Sequence, residues 1–180
     1  MVYHRAPAIY ISRFLQDFKV YAEDPAYQRI EDYFNKMPRA EPGMPAPDFT
    51  LVDKDGKQVS LASFKGKHVL LDFWFHNCVF CRQMAPSLVK IYADLRARGF
   101  EIVSISVDSK EDEKGWRKAM EEDRASWTEL WDYNKTLPGL YGVNAYPTMF
   151  LLDGNGKVLS RLIGNQGERQ LRNVLAIYIN

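Results

Sequence analysis

The 180-residue chain holds two cysteines, Cys78 and Cys81, two residues apart in the stretch FWFHNCVFCRQMAP. A disulfide between them closes a loop too short to restrain much of the unfolded chain, since disulfide stabilisation is expected to grow with loop length. Thiol exchange explains the pair better than a structural staple. Where such a pair opens a helix, residues three apart have Cα atoms about 5 Å apart, inside the roughly 4.4–6.8 Å window of a disulfide. The bond can then form and break without backbone movement. The thiol nearer the helix start also faces unpaired backbone N–H groups and the positive end of the helix dipole, which favour thiolate over a free cysteine with a pKa of about 8.5. That makes Cys78 the nucleophile. Cys81, one turn inside, is placed to attack a mixed disulfide on Cys78 and release the partner.

Other chemistries compete for these thiols. A lone cysteine reads best as a small buried hydrophobe, but a Cys-x-x-Cys pair at a strand-to-helix junction points to redox work. Structural zinc wants four ligands, and His4, His68 and His76 are the histidines available, only one of them near the pair. A c-type haem needs a histidine directly after the second cysteine, where Arg82 stands. Cu(I) handling by Cys78 and Cys81 with Met84 or His76 is an alternative from the binding-protein class, although the spacing requires no metal. His76 otherwise reads as a solvent-facing polar residue.

The elements that must position the thiols are legible on both sides. HVLLDFWF is a buried-strand run, and RQMAPSLVKIYADLRARG carries Leu88, Ile91, Tyr92 and Leu95 at helical spacing before stopping at Gly99. The cysteines therefore lie where a central strand ends and a helix begins. Upstream, FTLVDKDGKQVSL reads as a hairpin turning at Asp55-Gly56. Downstream come a strand FEIVSISV, a polar helix KEDEKGWRKAMEED, strands YPTMFLLD and KVLSRLIG around a DGNG turn, and a closing helix ERQLRNVLAIYI. This order predicts an α/β fold with a central mixed β-sheet flanked by helices.

At the N-terminus, Ile11, Phe14, Leu15, Phe18 and Tyr21 recur at helical spacing, and Tyr27, Ile30, Phe34 and Met37 do so after Pro25. Pro38, Pro42, Pro45 and Pro47 make PRAEPGMPAPDF an extended linker. Residues 1–40 are thus expected to be a helical extension with its linker, and residues 41–180 the main domain. Charge names no partner: 24 basic and 23 acidic residues leave a net charge of +1, which argues against nucleic acid and charged membrane surfaces. No apolar run reaches the roughly 20 residues of a membrane span, and MVYHRAPAIYIS lacks the features of a secretory signal.

DFWFHNCVFCRQMAP resembles the active-site segment of thioredoxin-fold proteins. GMPAPDFTLVDKDGKQVSLASFKGKHVLLDFW is similar to the opening of the TlpA/ResA branch of extracytoplasmic thiol:disulfide oxidoreductases, relatives of AhpC/TSA proteins. YGVNAYPTMFLLDGNGKV resembles the family's cis-proline strand and hairpin, with Pro147 in the proline's place. The resemblance runs from about Gly43 to the C-terminus. It implies a thioredoxin-like fold, disulfide exchange with client proteins, an upstream thiol/disulfide redox partner, and no cofactor or metal. It makes Asp72, six residues before Cys78, a buried carboxyl of raised pKa that exchanges a proton with Cys81. Pro86 falls where thioredoxins kink the active-site helix. Trp74, Val79, Phe80, Tyr146 and Pro147 become the client-binding surface, with the Tyr146 backbone free to pair with an extended segment.

The resemblance also has departures. Val79-Phe80 lacks the usual proline and adds no positive charge, which counts against a strong oxidant, and Asn77 replaces the usual tryptophan. The direction of electron flow therefore does not carry over. APDFTL is also similar to the opening of peroxiredoxins, which makes a thiol peroxidase the enzymatic alternative, but Leu71 and Phe75 stand where those enzymes have proline and threonine. The N-terminal helices resemble the segment before the thioredoxin domain of larger TlpA-type proteins, implying a periplasmic or otherwise extracytoplasmic protein lacking its export signal, with a cytoplasmic protein as the alternative.

Overall fold

The computed structural model describes residues 8–36 and 40–179. Helices α1 (Ala8–Asp17) and α2 (Pro25–Lys36) form an N-terminal pair, in which the Tyr27 hydroxyl donates to the Leu15 carbonyl at 2.8 Å. The expected residues Met37, Pro38 and His4 lie outside the described residues. Past them, the proline-rich segment is neither helix nor strand, as its composition requires, but it is not the extended linker expected: it turns at Pro42-Gly43, where the Met44 N–H donates to the Glu41 carbonyl at 3.0 Å and Gly43 has a φ of 92°, and it is tied to the domain. Gly43 donates to the Val158 carbonyl, Pro45 bridges Lys157, and Ala40 is fully buried in the core.

The remaining elements alternate as the sequence suggests. They are β1 (Thr50–Asp53), β2 (Gln58–Ser60), β3 (His68–Trp74), α3 (Val79–Leu95), β4 (Phe100–Ser106) and α4 (Glu113–Asp123), followed by β5 (Thr128–Trp131), α5 (Thr136–Tyr141), β6 (Thr148–Leu152), β7 (Val158–Ile163) and α6 (Gly167–Tyr178). The seven strands form one sheet in the order β2-β1-β5-β4-β3-β6-β7. β3, β4 and β5 are parallel; the neighbours on either side run antiparallel. The sheet is thus mixed, and β3 lies inside it with both backbone edges paired. That explains why HVLLDFW is apolar almost throughout: a strand covered on both faces gains nothing from alternating polarity.

Side-chain parity divides the core. Val69, Leu71 and Phe73 point to one face with Val103, Ile105, Leu130 and Phe150. Leu70 points to the other with Ile102, Leu151 and the α3 residues Met84, Leu88 and Ile91. Because alternate residues share a face, Asp72 lies on the α3 side between Leu70 and Trp74. The register continues sideways, with Asp72 opposite Ser104 on β4 and Ser104 opposite Glu129 on β5. A polar row therefore crosses three strands beneath the start of α3.

Candidate active site

Cys78 is the N-cap of α3, with an extended backbone, and its Sγ accepts the Cys81 backbone N–H at 3.2 Å. An N-cap side chain that accepts from a first-turn N–H is the usual solution to the unpaired donors of a helix start, and here sulfur fills the role. The same donor and the helix dipole stabilise a thiolate at Cys78 once the pair is reduced. The two sulfurs are joined as a disulfide, with Cα atoms 5.2 Å apart. Cys78 and Cys81 are both buried, in a cluster with Trp74, Trp116, Ala119 and Met120.

The inner side of Cys81 faces a small cleft lined also by Asp72, Trp74, Ser104, Asp123 and Glu129. Burial pushes the Asp72 carboxyl up to about 7, opposed by the Ser104 hydroxyl, which donates to Oδ2 at 3.3 Å, and helped by the charge of Asp123. The proton affinity of Asp72 therefore lies where a group exchanging protons near neutrality needs it. Glu129, a residue the sequence reading passed over, is only 5% exposed, and burial holds its pKa well above the usual carboxylate range, with the Asp72 charge adding to the rise. Its sole sequence signal is a charge inside the short apolar stretch WTELW.

His76 is not the solvent-facing residue expected. Its Nδ1 lies 2.6 Å from Asp108 Oδ1 and its backbone N–H donates to Asp108 Oδ2 at 2.9 Å, so one carboxylate fixes the loop that leads into Cys78. The other edge of the ring lies over Gly115 of α4, where an added Cβ would come within 2.6 Å of Cδ2 and 2.8 Å of Nε2. Gly115→Ala should accordingly lower stability by about 1–2 kcal/mol through overpacking, despite alanine's better helix propensity. In a His76→Ala background the same change should stabilise by up to about 1 kcal/mol. Urea unfolding of the four proteins checks the reversal of sign. These contacts also commit His76 elsewhere than to the thiols, and Met84 is buried in the α3 core at 1% exposure.

The outer side is apolar. Val79 and Phe80 are 64% and 59% exposed beside the disulfide, and Tyr146 packs against the cysteine cluster while stacking edge-on with Phe75 at 5.4 Å. The Tyr146–Pro147 bond is cis, and Pro147 is buried, its carbonyl accepting from the Gly164 N–H at 2.7 Å. Trp74 differs from the sequence expectation of a client contact: it is 5% exposed and lies inward, against the cysteines and the cleft. A strand-end residue that points to the α3 face is covered by that helix. Leu71 and Phe75, where peroxiredoxins have their proline and threonine, are packing residues here.

Residues 42–161 match the AhpC/TSA family. The thiol-disulfide oxidoreductase ResA of Bacillus cereus is 32% identical over 145 residues, which cover 81% of this chain and 83% of the relative. Among solved structures, the thioredoxin domain of a thiol-disulfide oxidoreductase from Bacteroides vulgatus superposes with a TM-score of 0.69 at 36% identity, covering 77% of this chain and 98% of that one. A thiol:disulfide interchange protein from a Bacteroides species gives a TM-score of 0.68 at 35% identity, covering 77% and 90%. With a thioredoxin fold, a Cys-x-x-Cys pair at the start of α3 and this likeness over most of its length, the chain belongs to the AhpC/TSA family, among its ResA-like thiol:disulfide oxidoreductases.

Proposed function

We propose that the protein reduces or exchanges disulfides in extracytoplasmic client proteins, with Cys78 as nucleophile, Cys81 as resolving thiol and Asp72 as the proton acceptor. The observation that carries this reading is the asymmetry of the pair: Cys78 sits at the helix start, its sulfur on a backbone N–H, whereas Cys81 faces inward to the cleft with Asp72. In the reductive direction, the Cys78 thiolate attacks one sulfur of a client disulfide; the client's S–S bond breaks and its second sulfur leaves as thiolate. Asp72 takes the Cys81 proton, and the Cys81 thiolate attacks Cys78 Sγ. The Cys78–client bond then breaks, the client leaves reduced, and Cys78–Cys81 is oxidised by two electrons. An upstream dithiol partner must return those electrons by the reverse steps.

The client-binding surface in this reading is the exposed Val79-Phe80 pair with the half-buried Tyr146, backed by the buried Pro147, an apolar rim suited to an extended segment carrying the target disulfide. In this reading α1 and α2 belong to a helical extension that precedes the catalytic domain, whose core already takes in Ala40, and the setting is periplasmic or otherwise extracytoplasmic, as the likeness to TlpA-type proteins suggests. No helix among the described residues is long and apolar enough to cross a membrane. The test is reduction of insulin disulfides by the pre-reduced protein, run beside a peroxide-consumption assay. Stoichiometric insulin reduction with negligible peroxide turnover is the expected result; fast peroxide turnover with no insulin reduction would assign the thiols to a peroxidase.

A further inference from the structure

Glu129 takes no part in the exchange described above, yet its surroundings point to a role. Its Oε2 is buried without a hydrogen-bond partner, as is Trp74 Nε1, and both residues line the cleft that Asp72 and Cys81 reach. Neighbouring strands are about 4.8 Å apart, so Asp72 and Glu129, one strand removed from each other, have backbones roughly 10 Å apart on one face. Ser104 stands between them. Its hydroxyl donates to Asp72 and accepts the Trp127 Nε1–H at 2.8 Å, so its single proton is committed and none is left for Glu129, on which the Trp74 and Trp127 indoles bear instead. The cleft has about 20 Å³ of free volume, enough for one water, with orphaned polar atoms on its wall to hold it.

We propose that Glu129 is the second carboxyl of the site: with Asp72 it forms a proton-holding pair on the inner side of Cys81, the two joined through the cleft they line. The proposal rests on the reading of Cys81 as resolving thiol and Asp72 as its proton acceptor. Two carboxyls desolvated in one cleft do not ionise together, because each charge opposes the other. In this pair Asp72, helped by the Ser104 donor, is the carboxyl that ionises, and Glu129, whose burial outweighs the lowering effect of the Trp74 and Trp127 indoles, is the one that keeps its proton. Glu129 thereby acts as a positioning residue: it touches no sulfur but sets how readily Asp72 gives up and regains a proton. Other charged groups face the pair. Asp123, at the end of α4, opposes ionisation of both carboxyls and is itself paired with Arg82 Nε at 2.7 Å. On the outer side of β5, Asp53, Lys54, Asp55 and Lys57 of the β1–β2 hairpin line the neighbouring cleft, with both signs represented equally.

The test is a carboxyl-carbon NMR titration of the reduced full chain and its Asp72→Asn variant, combined with pH–rate profiles of the resolving step for Asp72→Asn, Glu129→Gln and the double variant. Glu129 should be protonated at neutral pH and titrate above Asp72, and its midpoint should fall in Asp72→Asn as the repulsion is removed. The residual resolving rate of Asp72→Asn should follow the Glu129 midpoint and drop by about a further tenfold, with loss of that pH dependence, in the double variant. Glu129 titrating in the ordinary carboxylate range, or with a midpoint indifferent to Asp72→Asn, would overturn the pairing. The NMR titration reads no catalysis, so its failure is separable from failure of the thiol-exchange reading. Amide spectra of the same samples report whether each variant is folded, and the Asp72→Asn comparison stands even if Glu129→Gln is not.

Discussion

Cys81→Ser should attack a client disulfide as the unmodified protein does and then stop, so that a covalent adduct between Cys78 and the client accumulates. Cys78→Ser should form no adduct, and its turnover should fall by on the order of 10³-fold or more, because the nucleophile itself is lost. The difference follows from geometry: only Cys78 has its sulfur at the helix start on a backbone N–H, and only Cys81 turns inward to the cleft. Non-reducing electrophoresis with mass mapping of the adduct reads the outcome. Trapping on Cys81 in the Cys78→Ser protein would reverse the two roles.

Asp72→Asn is the second large effect, and it has two opposite signs. The resolving step should slow by on the order of 10²-fold near pH 7, the usual worth of a positioned acid or base, and the stability of the fold should rise. Burial raises the Asp72 pKa from 3.8 to about 7, so the folded chain holds this proton more tightly than the unfolded chain does. Below about pH 4 both states are protonated and the residue costs nothing. The cost grows as pH rises through the interval and is complete above about pH 7, where it amounts to on the order of 4 kcal/mol. Asparagine removes the charge yet keeps an acceptor for the Ser104 hydroxyl. Urea unfolding of both proteins should therefore give nearly equal stabilities at pH 4 and a variant more stable by a few kcal/mol at pH 8. A gap independent of pH would mean that Asp72 does not change ionisation on unfolding.

Much of this site can be read from residue order because its parts are local. The strand HVLLDFW, the helix start at Val79 and the cysteine spacing all lie within a few residues of one another, and their placement follows from apolar runs and helical periodicity. The Tyr146-Pro147 segment, distant in sequence, is identifiable only through the family resemblance. The stretch between α4 and β6 was not legible. β5 has four residues and α5 six, too few for either period to declare itself, and β5 is a strand because β1 and β4 pair with its two edges. Glu129 was missed for that reason: without the strand there is no register to carry it beside Ser104. His76 was misread because its partner, Asp108, lies just past the end of β4, a neighbour supplied by the parallel pairing of β3 with β4 and by nothing in the local sequence.

The central claim is that Cys78 and Cys81 are chemically unequal. Its most direct measurement is the rate of iodoacetamide modification of each cysteine in the reduced protein as a function of pH, resolved by peptide mass mapping. Cys78 should react first, with an apparent pKa below the roughly 8.5 of a free thiol, while Cys81 stays protected at neutral pH. Faster modification of Cys81, or equal rates with both thiols titrating near 8.5, would contradict it.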